Sequence, residues 1–259
     1  MISIIIPAHN EELRIGPTLE AYGRFFSEKV ILGGEKYEII VVLNACKDKT
    51  LEIVKTYSKK YKIIKYLDFK QGGKGFAVIE GFKQALKNES DTLGFVDADM
   101  ATSPEAFYDL IKNINSYDGI IASRYIKGSK VKPKPSFARI FVSRIFNALI
   151  RILFFMPYRD TQCGAKVFKK NAIKQTINKL SMSQWAFDVE LLYCLRKQGF
   201  KIKEIPTTWS DKKYSKINFM KAGPKMALSV IRLRLVNSPF KGIVSVYNRL
   251  PIKLHKLTL

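Results

Sequence analysis

Acidic residues are scarce in this sequence of 259 residues, and none occurs in its last part. Lys and Arg number 45 against 22 Asp and Glu, which gives a net charge of +23. Asp211 is the last acidic residue, whereas eleven Lys or Arg lie between residues 212 and 259. This surplus of positive charge predicts an anionic partner, that is, a nucleic acid, a nucleotide or an anionic membrane surface.

Cysteine is also rare, and long apolar runs are missing. The three cysteines, Cys46, Cys163 and Cys194, form no Cys-x-x-Cys pair, which argues against a zinc ribbon or a redox motif. Reduced thiols in a cytosolic protein are the simpler interpretation. No apolar stretch reaches the roughly 18 residues that a membrane-spanning helix needs. We therefore expect the chain to lie on a membrane at most, without crossing it.

Short apolar runs alternate with helical segments in the first half of the chain. Five such runs predict buried strands, and polar turns that enter helices follow four of them. This alternation is typical of βα units, so we predict an α/β fold with a mainly parallel sheet and helices on both faces. The predicted strands are residues 3–7, 37–43, 63–67, 93–96 and 119–124.

The pattern changes after Arg124. Residues 127–135 are basic, contain two prolines and predict a loop. Residues 136–157 predict an amphipathic helix whose polar side chains fall within about 140° of arc. It is either a core helix with one wet face or a helix at a membrane interface. Further predictions are a strand at 166–168, a helix at 185–196, a proline-containing edge strand from residue 202, and two short basic amphipathic C-terminal helices at 219–236 and 243–254.

Two carboxylates, Asp97 and Asp99, follow the fourth predicted strand. Open α/β sheets bind ligands at that end of their strands. An Asp-x-Asp pair offers oxygen ligands to Mg²⁺ or Mn²⁺, which usually divides its coordination between carboxylates and substrate phosphates. A helix start alone would also explain this stretch, because residues 102–105 (Thr-Ser-Pro-Glu) carry N-terminal helix signals. The neighbouring loops favour the metal.

Three further polar loops are predicted at the same rim of the sheet. Residues 7–12 offer carboxylates and amides for ribose hydroxyls and a base, and Asn44 and Asp48 lie on the next loop. Residues 72–75 (Gly-Gly-Lys-Gly) allow close backbone approach, with Lys74 as a nearby charge. They match neither the Walker pattern nor the Gly-x-Gly-x-x-Gly of dinucleotide folds. We therefore predict a nucleotide site organised by a metal.

In this order, the loops resemble those of family 2 glycosyltransferases with the GT-A fold. The matching segments are 7–12, Asp48, 73–75, 97–99 and 123–125. Residues 159–164 (Arg-Asp-Thr-Gln-Cys-Gly) and 185–193 (Trp-Ala-Phe-Asp-Val-Glu-Leu-Leu-Tyr) resemble the dolichyl-phosphate β-glucosyltransferase branch more than the dolichyl-phosphate mannose synthase branch. Residues 231–234 (Ile-Arg-Leu-Arg) fit the same branch, so the resemblance covers roughly residues 1–237.

The resemblance implies an inverting transfer of a hexose with Mg²⁺ or Mn²⁺ as cofactor. The expected donor is UDP-glucose and the expected acceptor is dolichyl (polyprenyl) phosphate, at the cytoplasmic face of a membrane and in the service of protein N-glycosylation. The alternatives are transfer of mannose from GDP-mannose, or transfer to a glycan or protein hydroxyl. The implied domains are a GT-A catalytic domain at residues 1–211 and a basic membrane-associating tail at residues 212–259.

Individual residues receive expected roles from these arguments. Many family members have Asp where Asn44 stands, but an amide can still pair with a base through both its oxygen and its NH₂ group. An Asp should therefore replace Asn44 better than an Ala would. The expected nucleotide contacts are Pro7, Ala8, Asn10, Glu11, Asn44, Asp48 and Lys74. The catalytic residues that the resemblance implies are Asp97 at the ribose or donor, Asp99 at the metal, Arg124 at donor or acceptor phosphates, and Asp160, Gln162 and Asp188 at the sugar and acceptor head. The expected metal ligands are Asp99 and Asp97, and the expected contacts of the acceptor phosphate are Arg139 and Arg124.

Two other classes of protein fit the sequence less well. A nucleic-acid-binding protein would explain the charge, but no helix-turn-helix, RRM or zinc pattern occurs, and carboxylates at the rim would repel a phosphate backbone. A sugar nucleotidyltransferase would need a Gly-rich basic loop directly after the first strand, where residues 7–10 are Pro-Ala-His-Asn. We therefore predict no nucleic-acid partner, and the nucleotide-sugar donor and lipid-phosphate acceptor are those that the resemblance implies.

Overall fold

A seven-stranded sheet lies at the centre of the computed structural model. The structure describes residues 1–33, 35–133, 136–181, 186–210 and 219–238, without the side chains of residues 138, 139 and 219–225. The strand order is β3-β2-β1-β4-β7-β5-β8. These strands are β1 (Ile2–Ala8), β2 (Tyr37–Asn44), β3 (Ile64–Phe69), β4 (Thr92–Val96), β5 (Gly119–Ser123), β7 (Ala165–Lys169) and β8 (Ile202–Pro206), and β6 is described below.

Neighbouring strands of this sheet run parallel, with β7 as the exception. It is inserted between β4 and β5 and pairs antiparallel with both. The carboxyl ends of β1 to β5 therefore share one rim with the beginning of β7. Val96 pairs with Ala165, which brings the segment before β7 next to Asp97. The mainly parallel sheet of the prediction is confirmed, and the reversed strand adds a further loop to the rim.

Helices cover both faces of the sheet, as predicted. Along β1, Ile4 and Ile6 belong to one hydrophobic cluster and Ile5 to the other, as expected for side chains that alternate across a strand. Helices α1, α2 and α4 contribute to the first cluster, and α3 and α5 to α8 to the second. The helices are α1 (Ile15–Gly33), α2 (Thr50–Lys60), α3 (Lys74–Lys87), α4 (Pro104–Lys112), α5 (Phe137–Phe154), α6 (Lys170–Thr176), α7 (Phe187–Lys197) and α8 (Phe219–Val236).

A second, two-stranded sheet corrects one local prediction. Residues 127–135 were expected to form a loop, but β6 (Lys130–Lys132) pairs parallel with β9 (Thr208–Ser210). Val131 is partly buried opposite Trp209, so one apolar side chain between two exposed lysines suffices for a strand once a partner is present. Strand β8 lies at the edge of the main sheet, which confirms the prediction made from its proline.

Helix α8 confirms the first of the two predicted C-terminal helices. It packs against α5, and its Val230 and Leu233 are buried in the same cluster as Ile150 and Phe154 of α5. Helix α8, which lies within the predicted basic tail, therefore packs on the hydrophobic core. The second predicted helix, at 243–254, lies outside the described residues. Within the described ranges, no helix combines the length and the apolar character that crossing a bilayer requires.

Candidate active site

The side chain of Asn44 ties three rim segments together. It is 2 % exposed, its Nδ2 donates to Ala8 O at 2.9 Å, and its Oδ1 accepts from Gly73 N at 3.0 Å. Gly73 has a φ of +124°, a conformation that favours glycine. Both ends of the amide are therefore used by backbone groups. Asn44 thus positions the loops that follow β1, β2 and β3. Its predicted contact with a base stays a prediction.

Acidic side chains join the loops after β1 and β2 at the outer part of the rim. Glu11 binds the Arg14 guanidinium through two bonds of 2.6 Å. Asp48 Oδ2 accepts from Glu12 N at 3.2 Å, and Asn10 Oδ1 accepts from a backbone N–H of the neighbouring loop at 2.7 Å. These residues line an open groove. Three of the predicted donor contacts, Asn10, Glu11 and Asp48, thus lie together.

A chain of alternating charges runs from the rim into the core. Lys74 Nζ lies 2.8 Å from Asp97 Oδ1 and 3.5 Å from Asp188 Oδ2. The Lys166 ammonium donates to Asp188 Oδ1 at 2.5 Å and to Cys163 O at 2.7 Å. Lys166 is fully buried, and Asp188 is 7 % exposed. The four side chains therefore form one connected network that reaches the predicted metal position.

Electrostatics keep two members of this network charged. Burial raises the pKa of Asp188, but the ammonium groups of Lys166 and Lys74 more than offset this and hold it below its ordinary value. Burial lowers the pKa of Lys74, but the Asp188 and Asp97 carboxylates raise it well above its ordinary value. Neither group is therefore suited to exchange protons near neutral pH.

Asp99 lies at the same rim with a partly exposed side chain. Its Oδ1 accepts from Ala101 N at 3.0 Å, and its Oδ2 lies 4.0 Å from a guanidinium nitrogen of Arg14. Burial and the nearby charge of Asp97 raise the pKa of Asp99. Two carboxylates that repel each other in this way make a position that a cation would stabilise.

These carboxylates fit a metal that shares its coordination with a diphosphate. In the part of the chain that the structure describes, no three His, Cys, Asp or Glu side chains cluster closely enough to hold an ion by themselves. Mg²⁺ in particular is usually bound by one or two carboxylates together with substrate phosphates. Asp97 and Asp99 supply such a pair, with Lys74 against Asp97.

Arg124 and Asp160 form a buried bidentate ion pair. Arg124 donates from Nε to Asp160 Oδ2 at 2.7 Å and from a terminal nitrogen to Oδ1 at 2.9 Å, and its backbone N–H donates to Oδ2 at 3.0 Å. Asp160 is 0 % exposed, and its pKa, which burial raises, is lowered overall by Arg124. Its carboxylate is thus occupied by Arg124. Asp160 thus positions Arg124, and its predicted contact with the sugar and acceptor head stays a prediction.

The loop before β7 carries a polar atom with no partner. Gln162 Nε2 is buried and has no hydrogen-bond partner in the structure. An unsatisfied buried N–H costs about 1–3 kcal/mol, so such a group in a binding loop is a natural donor to a ligand. This agrees with the predicted role of Gln162 at the sugar or acceptor, which stays a prediction.

The remaining predicted residues are placed as follows. Pro7 and Ala8 are buried at the end of β1, and the Ala8 carbonyl accepts from Asn44. Arg139 lies on α5, but its side chain is outside the described part of the structure. The predicted nucleotide contacts and the Asp-x-Asp pair therefore lie at the rim, as do Arg124, Asp160, Gln162 and Asp188. The position of the Arg139 side chain stays a prediction.

Three rim residues were missed from the sequence: Arg14, Gly164 and Lys166. Arg14 connects Glu11 with Asp99, and Gly164 packs against the Asp97 carboxylate. A lysine in the middle of an apolar strand (Ala-Lys-Val-Phe) is a signal for Lys166, because a buried charge needs a partner. No comparable signal marks the other two, whose roles depend on tertiary contacts.

The sheet and its helices have the architecture of the GT-A fold, which is a glycosyltransferase fold. Residues 3–177 match the glycosyl transferase family 2, and the chain belongs to that family. It is similar to dolichyl-phosphate β-glucosyltransferases: 32 % identical over 243 residues to that of Dictyostelium discoideum, covering 90 % of this chain and 73 % of the relative. The human protein of that name is 30 % identical over 227 residues, covering 83 % of this chain and 69 % of the relative. The resemblance inferred from the motifs is thereby confirmed.

Solved structures share the fold at low sequence identity. A glucosyl-3-phosphoglycerate synthase from Mycobacterium tuberculosis, in complex with Mn²⁺, UDP and glucosyl-3-phosphoglycerate, superposes with a TM-score of 0.65 at 16 % identity. The match covers 91 % of this chain and 78 % of the synthase. At this identity the likeness shows the fold alone, and it confirms the predicted GT-A architecture.

Proposed function

We propose that this glycosyltransferase moves glucose from UDP-glucose onto dolichyl, or more generally polyprenyl, phosphate at the cytoplasmic face of a membrane. The names of the relatives above support the sugar and the acceptor. The proposed reaction inverts the anomeric centre in a single displacement and uses Mg²⁺ or Mn²⁺. One observation carries the choice of acceptor class, namely the ion pairing of Asp160 and Asp188.

A phosphate acceptor needs no general base, and neither Asp160 nor Asp188 is suited to act as one. A phosphate monoester has a second pKa of about 6, so it is largely ionised at pH 7 and can attack directly. A hydroxyl acceptor would instead need a carboxylate with a pKa near the working pH. Asp160 and Asp188 are buried, paired with cations and lowered in pKa. This favours a phosphate over a glycan or protein hydroxyl.

The donor side uses the groove after β1 and β2 and the Asp-x-Asp pair. The proposed contacts of ribose and base are Glu11 and Asp48, which line this groove in loops that Asn44 holds in place. A metal held by Asp97 and Asp99 would neutralise the departing nucleoside diphosphate. Lys74 adds a second positive charge beside them. The chain's own contribution is then alignment and charge stabilisation.

The acceptor side is organised around Arg124. Asp160 holds the Arg124 guanidinium in place through hydrogen bonds. The ring centroids of Tyr125 and Trp209 each lie 5.3 Å from the guanidinium carbon, Cζ. A guanidinium held in this way is pre-oriented for a phosphate, because little conformational freedom is left to lose. We assign Arg124 to the acceptor phosphate, with Gln162 as a donor to the sugar or acceptor head.

A donor and acceptor screen with purified protein tests the proposal. UDP-glucose and GDP-mannose are each incubated with polyprenyl phosphate or with soluble glycan and peptide acceptors, in Mg²⁺, Mn²⁺ or chelator, and products are identified by mass spectrometry. We expect glucosyl phosphoprenol from UDP-glucose with metal only. A mannosyl product would show that GDP-mannose is the donor. Product on a hydroxyl acceptor alone would contradict the proposed phosphate acceptor.

One variant tests the metal requirement in this screen, and a second variant is its control. Asp99→Ala should abolish transfer while the circular dichroism spectrum stays that of the wild type, because Asp99 lies at the rim and outside the core. Asp109→Ala changes an exposed carboxylate of α4 and should leave transfer intact. Full activity of Asp99→Ala in chelator would contradict the metal requirement.

A further inference from the structure

Helix α5 presents a row of exposed apolar side chains. The four members within the helix are 53 % to 93 % exposed, and their spacing of four, four and seven residues places them within about 80° of arc on one helix face. Single exposed apolar residues are ordinary, but a continuous row marks an interaction surface. We call this row the α5 stripe; it consists of Phe137, Phe141, Ile145, Ile152 and Phe155, the last just beyond the helix.

Polar groups of the same helix point towards the protein. Asn147 is 3 % exposed, and its Oδ1 accepts from Thr161 N at 3.0 Å and Thr161 Oγ1 at 3.1 Å. Ser143 Oγ accepts from the Tyr125 hydroxyl at 2.8 Å. Part of the predicted polar face is therefore buried, while apolar residues face outwards. Ile150 and Phe154 of the same helix are buried in the core as well. A core helix with one wet face, the alternative left open by the sequence, would not also expose a row of apolar side chains.

Positive charge lies beside the α5 stripe. Between Asp118 and Asp160 the sequence contains nine Lys or Arg and no Asp or Glu. Arg144 and Arg151 are exposed and lie beside the stripe at one edge of the helix. Helix α8, which packs on α5, adds exposed apolar residues and lies in the acid-free part of the chain. These apolar residues are Leu228, Ile231 and Val236.

We infer that the α5 stripe lies on an anionic lipid bilayer, with the helix in the plane of the interface. An apolar row bordered by arginines complements acyl chains below and anionic headgroups beside them. A second protein chain would have to match the row and carry the acidic charge as well. The inference deepens the membrane association proposed above and rests on it.

This placement also gives the acceptor side an orientation. The inner face of α5 contacts Thr161 and Tyr125, which are the chain neighbours of Asp160 and Arg124. A bilayer under the outer face therefore lies next to the loops that hold the acceptor phosphate in our proposal. A lipid phosphate would reach Arg124 from the membrane surface, without leaving the headgroup region.

Vesicle binding of the full chain tests the inference. Vesicles of phosphatidylcholine and phosphatidylglycerol, without polyprenyl phosphate, are cosedimented with wild type and with Phe141→Gln, Ile145→Gln, Ile152→Gln combined. Gln keeps helix propensity and removes the apolar surface. The triple variant should bind about 100-fold more weakly, because three large apolar side chains lose their place in the bilayer. Affinity for UDP should stay that of the wild type.

Ile31→Gln with Leu32→Gln is the matched control, since both residues are more than 80 % exposed at the end of α1. This control should bind vesicles as the wild type does. Equal binding by the α5 triple variant would overturn the inference. A second result would also overturn it: light scattering shows that the wild type is a dimer, and the triple variant is a monomer that still binds vesicles. The vesicles contain no acceptor lipid, so this assay measures membrane binding alone. A failure of the proposed transfer reaction would be seen only in the donor and acceptor screen.

Discussion

Gly164 lies so close to Asp97 that a methyl group on its Cα would be 1.9 Å from Asp97 Oδ2. The backbone supports the same approach, because Asp97 N donates to Gly164 O at 3.1 Å. Strand β7 runs antiparallel to β4, and this reversal brings the loop before β7 under the first carboxylate of the Asp-x-Asp pair. The position of Asp97 therefore depends on a residue more than sixty positions away in the chain.

Gly164→Ala should displace the Asp97 carboxylate and reduce transfer by at least about 100-fold, the effect of misplacing a group by about 1 Å. Metal-dependent UDP binding, measured by calorimetry, should weaken in parallel. Gly33→Ala is the control, because a methyl group at the end of α1 would have no atom within 4 Å. Equal activity of the two variants would show that the place of Asp97 beside Gly164 is not needed.

Asp160→Asn should destabilise the protein by about 3 kcal/mol, since it leaves a buried guanidinium without its counter-charge. The folded pKa of Asp160 lies below its ordinary value of 3.8. The ionised Asp160 carboxylate therefore contributes fully to the free energy of unfolding above the ordinary pKa of 3.8. This contribution is lost as the pH falls through the folded pKa. Urea unfolding should show a gap between wild type and variant that narrows below about pH 4.

Asp109→Asn is the control for this comparison, because its pair with Lys112 is exposed. It should change stability by less than about 1 kcal/mol at every pH. An Asp160→Asn variant that unfolds like this control would contradict the structural role of the buried pair.

Asn44→Asp should be at least as destabilising as Asn44→Ala, which reverses the expectation from the sequence. An ionised carboxylate would face Ala8 O, which now accepts from Nδ2 at 2.9 Å. The introduced carboxyl should have a raised folded pKa, so its deficit should be larger at pH 7 than at pH 5. We expect a loss of about 2 kcal/mol at pH 7 by chemical denaturation. A deficit independent of pH, as expected for Ala, would argue against this contact.

Lys74→Met should raise the affinity for Mn²⁺ in the absence of donor by about tenfold, because a cation 2.8 Å from Asp97 is removed. Mn²⁺ binding is measured by electron paramagnetic resonance. UDP affinity should fall in the same variant, since a positive charge near the diphosphate is lost. Lys83→Met, in an exposed pair with Glu80, should change neither. Unchanged Mn²⁺ affinity would separate Lys74 from the metal position.

Local patterns explain how much of this molecule could be predicted. Apolar runs identify the strands, and parallel strands bring their loops to one rim, so the Asp-x-Asp pair was found. The direction of β7 is not visible locally, because antiparallel and parallel strands here have the same buried pattern. Gly164 was missed for that reason. Asn44 shows a second limit: its residue type is suited to a base, but tertiary backbone contacts occupy its amide.

Helix α5 shows a third limit. Its periodicity predicts an amphipathic helix, but periodicity does not show which face turns inwards. The structure buries Asn147 and exposes Phe141, because Thr161 and Tyr125 supply partners on the inner side. A tertiary hydrogen bond therefore decided what the sequence pattern left open.

The basic residues beyond α8 should act at long range, in contrast to the α5 stripe. Lys241→Gln, Arg249→Gln, Lys253→Gln and Lys256→Gln combined remove four positive charges from a part of the sequence without acidic residues. Each Lys or Arg near an anionic surface adds about 1 kcal/mol at most, so partial engagement predicts a loss of about tenfold in vesicle binding at low salt. The loss should disappear near 1 M salt, where the Debye length is about 3 Å.

Cosedimentation with vesicles across a salt series measures this loss. The α5 triple variant is the comparison, because its binding defect should persist at high salt. Binding by the charge variant equal to that of the wild type at low salt would contradict a role of the tail in anchoring.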